Sequence, residues 1–369
     1  MTENTFRFCD ELGPKSILHI YDPRIDLRAI LVVDNVAAGP SIGGVRLAPD
    51  VSLDECFRLA RAMTMKNAAA GLAHGGGKAV IFGDPAMDVT EKEQVIRGFA
   101  SAVRHVVDFI PGPDMGTNEL AMAWVRDEIG RSVGLPRELG GIPLDEIGAT
   151  GFGLAVAAEI AASEAGIELE GARIAVQGFG SVGTHAARRL IERGAKLVAV
   201  ADSRDTVADP AGLDAEALIA LKTEGRHVVD LDAGHKLARE AIIGVDCDIL
   251  IPAARPDAVN AGNAEMVKAR MIIQGANIGV TEAAESILRE RGVVCPPDFI
   301  SNAGGVICAA VEYHEGTESQ AFATIEEKIS ANMNEVLDRA RRTGCSYREA
   351  AVTMATDRVR AAMRTRRWA

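Results

Sequence analysis

Aromatic residues make up only 4% of this 369-residue chain, and no two of its six cysteines stand in a C-x-x-C spacing. Cys9, Cys56, Cys247, Cys295, Cys308 and Cys345 are scattered. A chain long enough to bury its own core does not need a disulfide framework, so these read as isolated thiols. Long apolar runs are missing too. The longest uncharged stretch, Ile174 to Ala187, is broken by three glycines and falls short of the ~18 residues of a membrane-spanning helix. The opening MTENTFRFCDELGPK lacks the apolar heart of a signal peptide, and a soluble cytoplasmic protein is expected. Positive charge is in deficit: 40 Lys and Arg against 52 Asp and Glu leave a net −12. Such a surface repels phosphate backbones and anionic lipid, so neither nucleic acid nor membrane is the expected partner. A small anion held by a few local cations is still compatible with it.

What is present is ordinary in bulk, with 48% hydrophobic and 25% charged residues, and rich in glycine, at 37. At ~150 residues per domain, the length implies two domains. In the first third, Leu27 to Val36 reads as a strand and Ser52 to Gly71 as a helix, with Ser52 and Glu55 in a capping-box spacing. A glycine-dense loop, Gly75-Gly76-Gly77-Lys78, leads into an apolar strand at Ala79 to Phe82, and a helix follows over Thr90 to Asp108. The Pro- and Gly-rich segment Pro136 to Leu144 is the expected domain boundary. Beyond it, short apolar strands at Arg173–Gln177, Lys196–Ala201, Asp248–Pro252, Met271–Gln274 and Val293–Cys295 alternate with helical patterns. These fall at Thr150–Ala165, Val182–Arg193, Ala215–Lys222, Lys236–Ile243 and Thr281–Arg291. That rhythm implies a parallel sheet covered on both faces. The tail from Gln320 is helical and ends in a basic run, Arg364 to Arg367, read as a solvated helix end.

Gly178-Phe179-Gly180-Ser181-Val182-Gly183 sits between the strand ending at Gln177 and a helix, the context a dinucleotide fingerprint requires. The first glycine permits the tight turn, the second lets a pyrophosphate approach the backbone, and the third lets helix pack on strand. Helix N–H groups then face the phosphates. Asp202, about 20 residues further on, ends the next strand. A carboxylate there accepts from the adenosine ribose and repels a 2′-phosphate, which favours NAD, although Arg204 nearby is a cation a 2′-phosphate could use. Lys66, Lys78 and Asp114 are a possible acid–base set. Desolvation would lower the pKa of Lys78 and make it a base, Lys66 could hold a carboxylate, and Asp114 could shuttle protons. Taken by spacing alone, surface lysines and a loop-capping aspartate fit equally well.

Several runs in order resemble the glutamate/leucine/phenylalanine/valine dehydrogenase family: Gly43-Gly44-Val-Arg46, Met65-Lys66-Asn67-Ala68-Ala69-Ala70-Gly71-Leu72 and Gly75-Gly76-Gly77-Lys78. Gly112-Pro113-Asp114-Met-Gly116-Thr117-Asn118, Ala149-Thr150-Gly151, the fingerprint, Gly275-Ala276-Asn277 and Asn302-Ala303-Gly304-Gly305-Val306 continue the series. The resemblance implies reversible oxidative deamination of an L-amino acid to a 2-oxo acid and ammonia, with hydride passing to NAD. It assigns the substrate α-carboxylate to Lys66, water activation to Lys78 and proton exchange at nitrogen to Asp114. Thr150 would contact the nicotinamide carboxamide, and Asn277 and Asn302 would lie near the nicotinamide ribose and substrate. Gly44 would line the substrate site and Ala253 the cofactor site. The implied architecture is α/β, with a substrate domain (1–135 plus 330–369) and a Rossmann-type doubly wound domain (136–329) flanking a cleft. Closure of the cleft would exclude water. A homo-oligomer is expected.

Two positions depart from the glutamate enzymes. Where the resemblance places a lysine for the γ-carboxylate, this chain has Ile42, and where it places a serine, Ala309. A carboxylate buried without either partner is penalised by several kcal/mol. The expected substrate therefore has an apolar side chain, of the leucine, valine or phenylalanine type, near Ile42, Val306 and Ala309. Gly112, where relatives have alanine, would enlarge the pocket. Thr117 to Glu119 and Ala149-Thr150-Gly151 look more like the glutamate enzymes, so glutamate stays open as an alternative. Two other readings are an inactive NAD-binding regulator and a 2-hydroxy-acid dehydrogenase. The retained lysines weigh against the first, and no His–carboxylate base is evident for the second. His74 reads as a loop histidine, and Glu312 and His314 lack a second ligand cluster, so no metal is expected.

Overall fold

The computed structural model describes residues 6–366. Arg367 of the closing basic run, and Met1 to Thr5 of the opening segment, lie outside them. The chain divides into two compact units. One comprises Met1–Pro143, Val306–Ala321 and Val352–Ala369, and the other Leu144–Gly305 and Phe322–Ala351.

The first unit carries β1 (Ser16–Asp22), β2 (Leu27–Asn35), β3 (Ser41–Ala48), α1 (Leu53–Ala69), β4 (Gly75–Phe82), α2 (Val89–Ala102), β5 (Phe109–Pro113) and α3 (Glu119–Ile129). Its sheet runs in the order β1-β2-β4-β3-β5. β2 pairs antiparallel with β1 and β4, and β3 pairs parallel with β4 and β5. Period-two alternation along the strands feeds two cores. Val80 packs with Cys56 and Ala60 of α1. Its neighbours Ala79 and Ile81 face the other way, toward Ile96 and Phe99 of α2 and Met122 of α3. Ser52 caps α1 by accepting from the Glu55 N–H at 3.1 Å, and Lys66 sits in the last turn, where a cation suits the helix dipole.

In the second unit, α4 (Ala149–Ala162), β6 (Arg173–Gln177), α5 (Ser181–Ile191), β7 (Lys196–Ala201), β8 (Asp205–Ala208), α6 (Ala215–Thr223) and β9 (His235–Ala238) follow one another. Then come β10 (Ile249–Pro252), β11 (Met271–Ile272), α7 (Glu282–Glu290) and α8 (Asp298–Ser301). The sheet order is β11-β10-β6-β7-β8-β9. The first four strands are parallel, as the alternating pattern implies, but β8 and β9 extend the sheet antiparallel. The helix expected at Lys236–Ile243 is instead β9 followed by a 3-10 turn. All four residues of β9 are exposed, so no core side dictates a period and backbone pairing to β8 decides the conformation. The strand expected at Val293–Cys295 reduces to one bridge, Val294 to Met271.

Three helices close the chain: α9 (Gly304–Tyr313), α10 (Glu318–Thr343) and α11 (Tyr347–Thr365). The units are therefore interleaved more than the expected division at residues 135 and 330. Glu312 of α9 explains one difference. Its buried carboxylate accepts from the backbone N–H of Leu135 at 3.1 Å and of Ile142 at 2.9 Å, which ties 306–321 and 136–143 to the first unit. Ion pairs explain another. Arg341 binds Glu164 at 2.6 Å, and Arg348 binds Glu285 at 2.6 Å, holding the middle of the tail to the second unit.

Candidate active site

In the first unit two members of the sequence-predicted set, Lys78 and Asp114, meet side chain to side chain. Lys78 belongs to β4 rather than to a loop, because the glycine run before it is strand. Close packing accounts for the glycines. A Cβ on Gly76 would lie 2.0 Å from the Thr64 backbone nitrogen of α1, and one on Gly75 would lie 1.7 Å from the Asn35 carbonyl oxygen. Glycine lets α1 and β2 close on β4 and encloses Lys78, which is 4% exposed. Its ammonium group contacts Oδ2 of Asp114. Burial, then the positive charges of Arg46 and Lys66 working against Glu55, bring the Lys78 pKa down to about 7.

Asp114 follows β5 directly and is held by its surroundings. Its N–H donates to Thr117 Oγ1 at 2.9 Å, and that hydroxyl donates on to the Val45 carbonyl at 2.8 Å. Oδ1 accepts from Nε and Nη2 of Arg46, both at 3.2 Å, and from the Met115 N–H at 2.5 Å. Arg46 in turn donates from Nη1 to Glu55 at 2.5 Å. Gly44 leaves one side of the Lys78–Asp114 pair uncovered, since a Cβ there would lie 2.8 Å from Asp114 Oδ2 and 3.0 Å from Lys78 Nζ. In the sequence Arg46 belongs to a motif without a role of its own, and Glu55 reads as part of a capping box and not as the partner of Arg46. The signal available is that Arg46 sits on the strand beside β4 and Glu55 in the first turn of α1.

Ile42 is buried on β3, and its carbonyl accepts from Asn67 at 3.5 Å. On α9, Ala309 is buried and Val306 half-buried. Gly112 pairs with Gly44 across β3 and β5. A Cβ on Gly112 would lie 3.1 Å from Val133 Cγ2. His74 is a buried strand-edge residue, with Nδ1 against the Pro40 carbonyl at 3.0 Å and Nε2 against His314 at 3.2 Å. Among the described residues, no group of three or more His, Cys, Asp and Glu could hold a metal ion.

In the second unit the three fingerprint glycines have three separate physical reasons. Gly178 adopts φ +98°, which side chains rarely accept. Gly183 packs so closely that a Cβ would lie 1.9 Å from the Gly178 carbonyl oxygen. Beside Gly180 a Cβ would meet nothing within 4 Å, so no packing in the protein demands glycine there and the approach to the turn is open. Gly180, the N-cap of α5, has no side chain to cap it, and Ser181 donates to the Asp145 carbonyl at 2.7 Å. The first-turn N–H groups are thus left for an anionic ligand. Phe179 is buried and Val182 half-buried beneath this turn. Two buried oxygens, Oε1 of Gln177 and Oδ1 of Asn302, have no hydrogen-bond partner in the protein, a feature that fits a bound polar group. Sequence reasoning misses Gln177. Asn302 donates to Asn277 Oδ1 at 3.0 Å and to the Gly275 carbonyl at 3.3 Å, and a Cβ on Gly275 would meet Ala253 at 3.0 Å. Thr150 lies in the first turn of α4, against Gly305.

Asp202 follows β7 as expected but is already engaged. Oδ2 accepts from Lys222 at 2.8 Å, the Val228 N–H at 3.0 Å and His227 at 3.3 Å, whereas Oδ1 accepts from the Arg204 N–H at 3.0 Å. Burial opposes its charge, but Lys222 and the two N–H groups outweigh burial and hold the carboxyl at about 2. One oxygen keeps acceptor capacity for a ribose hydroxyl while Lys222 offsets the charge.

The family description "Glutamate/Leucine/Phenylalanine/Valine dehydrogenase" matches residues 140–367, and its "dimerisation domain" matches residues 18–131. The chain is 39% identical to a glutamate dehydrogenase of Thermotoga maritima, over 91% of this chain and 85% of that one. It is 38% identical to an NADP(+)-dependent glutamate dehydrogenase of Pyrobaculum calidifontis, over 91% and 86%. In structure it is similar to the hetero-hexameric glutamate dehydrogenase of Thermus thermophilus in its Leu-bound form. The TM-score there is 0.84 at 30% identity, covering 95% of this chain and 90% of that one. The chain belongs to the glutamate/leucine/phenylalanine/valine dehydrogenase family and is an amino acid dehydrogenase.

Proposed function

We propose that the chain catalyses reversible, NAD-dependent oxidative deamination of an L-amino acid with an apolar side chain, giving the 2-oxo acid and ammonia. Ile42 is the observation that carries the side-chain preference. It is 3% exposed and supplies no cation where the family resemblance places a lysine for a γ-carboxylate. Ala309 supports the same reading, since it lacks a hydroxyl. A second reading, glutamate, is favoured by the names of the relatives described above.

The cofactor would be held by Gly178 to Gly183, Asp202, Ala253, Thr150, Asn277 and Asn302, and its nicotinamide supplies the hydride acceptor. Lys66 holds the α-carboxylate as an ion pair. Loss of hydride from Cα leaves an iminium on the substrate. Neutral Lys78 takes a proton from the water that adds to this carbon, and its ammonium form then stabilises charge on the new oxygen. Asp114, having taken a proton from the substrate ammonium group before hydride loss, returns it to nitrogen; the hydroxyl then gives its proton to the Asp114 carboxylate, the C–N bond breaks, and ammonia leaves as the carbonyl forms. Lys78 suits this work because a pKa of about 7 lets it gain and lose a proton near neutral pH. Self-association through residues 18–131 is part of the proposal, the open edge of β1 being available for it.

The test is ammonium dependence. Reduction of a branched 2-oxo acid by NADH is expected to require ammonium. Equal turnover without ammonium would point to a 2-hydroxy-acid dehydrogenase and overturn the proposal.

A further inference from the structure

We propose that Arg46 is a positioning residue that keeps Lys78 available as a base, by sharing Asp114 with it and opposing its charge, with Glu55 holding Arg46 in place. This rests on the reading of Lys78 as base and Asp114 as acid. A buried lysine facing a carboxylate alone is normally stabilised as ammonium, and a locked ammonium accepts no proton. Such a pair would therefore inactivate itself.

Arg46 resolves the conflict by geometry. Its fork grips Oδ1 of Asp114 through two nitrogens, leaving Oδ2 for Lys78. The guanidinium does not deprotonate, so its charge is permanent, whereas the lysine can yield. The three side chains are 18%, 16% and 5% exposed for Arg46, Asp114 and Lys78, so solvent screens their mutual forces weakly. Glu55 anchors the other end of Arg46 from α1. The remaining groups facing Lys78 are also on α1. Lys66 acts in the same sense as Arg46, and the Cys56 thiol, pushed up to about 12 by burial, carries no charge at neutral pH. Besides Asp114, Glu55 opposes Arg46, and it spends part of its field on holding it.

The experiment follows the Lys78 ionisation itself, by NMR of the full chain carrying 13Cε-labelled lysine, with the resonance assigned through Lys78→Met. The parent midpoint is expected near 7. Arg46→Met is expected to raise it by ~1 unit or more, and the acid limb of the kcat/KM profile should move with it. Arg46→Lys keeps the cation and should return the midpoint most of the way. Glu55→Gln should leave it unchanged or lower it. A merely structural role for Arg46 would not raise the midpoint in Arg46→Met and return it in Arg46→Lys. If Arg46→Met does not fold, Arg46→Gln replaces it and the same rise is expected. An unchanged or lowered midpoint in Arg46→Met, or an Arg46→Lys midpoint no closer to the parent than that of Arg46→Met, overturns the proposal. Should the parent lack ammonium-dependent turnover, the functional reading fails, while the titration still tests Arg46 against Lys78.

Discussion

Gly76 of β4 lies so close to Thr64 of α1 that a Cβ would stand 2.0 Å from the threonine backbone nitrogen. Gly180 of the fingerprint has nothing within 4 Å in the same direction. Two glycines thus serve opposite purposes, and alanine separates them. Gly76→Ala forces backbone apart and is expected to destabilise by roughly 3 kcal/mol, or to prevent folding. Gly180→Ala should keep the parent's stability and weaken dinucleotide binding. Denaturant melts and fluorescence titration with NADH give the two readouts.

Lys78 links stability to pH. Its folded pKa is about 7 against an ordinary 10.5, so between these values the unfolded chain binds more protons than the folded one. Stability from this group therefore rises with pH across that window and is least below 7. A Lys78→Met variant is expected to be more stable relative to the parent at pH 7 than at pH 10. Parallel unfolding curves at the two pH values check this.

Glu312 holds both ends of the 135–142 segment. Burial pushes its carboxyl pKa up, opposed by the N–H groups it accepts from, of Ile142 first and then Leu135. Glu312→Ala leaves those donors without their partner and is expected to cost about 1–3 kcal/mol. Limited proteolysis should show new cleavage within residues 136–143 before any global change.

Lys222 moderates Asp202. Asp202→Ser removes the carboxylate and is expected to raise kcat/KM for NADPH relative to NADH. Lys222→Ala frees the carboxylate charge and should move the ratio the other way, toward NADH, by ~5-fold or more, since losing a close charge partner is worth ~1 kcal/mol. Steady-state kinetics with both cofactors measures the two shifts.

Much of this molecule is legible in the sequence because its signals are local. Strands Arg173–Gln177 and Lys196–Ala201 appear with their expected bounds, the Ser52 cap forms, Gly178 takes its turn conformation and Gly183 its close packing. The misreadings share a cause. A glycine run has two physical origins, turn freedom and close approach, and only the packing of α1 on β4 identifies Gly75 to Gly77 as the second. β9 lacks an apolar face, and its pairing partner alone makes it a strand. Arg46 and Glu55 acquire meaning only when β3 and α1 bring them to Asp114. The engagement of Asp202 by Lys222 spans an intervening hairpin strand, β8, and a helix.

The most direct test of the account is the ratio of kcat/KM for the oxo acid of leucine to that for 2-oxoglutarate, with NADH and ammonium. Ile42 and Ala309 predict a ratio well above one, ~100-fold or more if the γ-carboxylate is left without a partner. The variant Ile42→Lys should pull the ratio down. A parent enzyme that prefers 2-oxoglutarate would contradict the assignment of an apolar substrate.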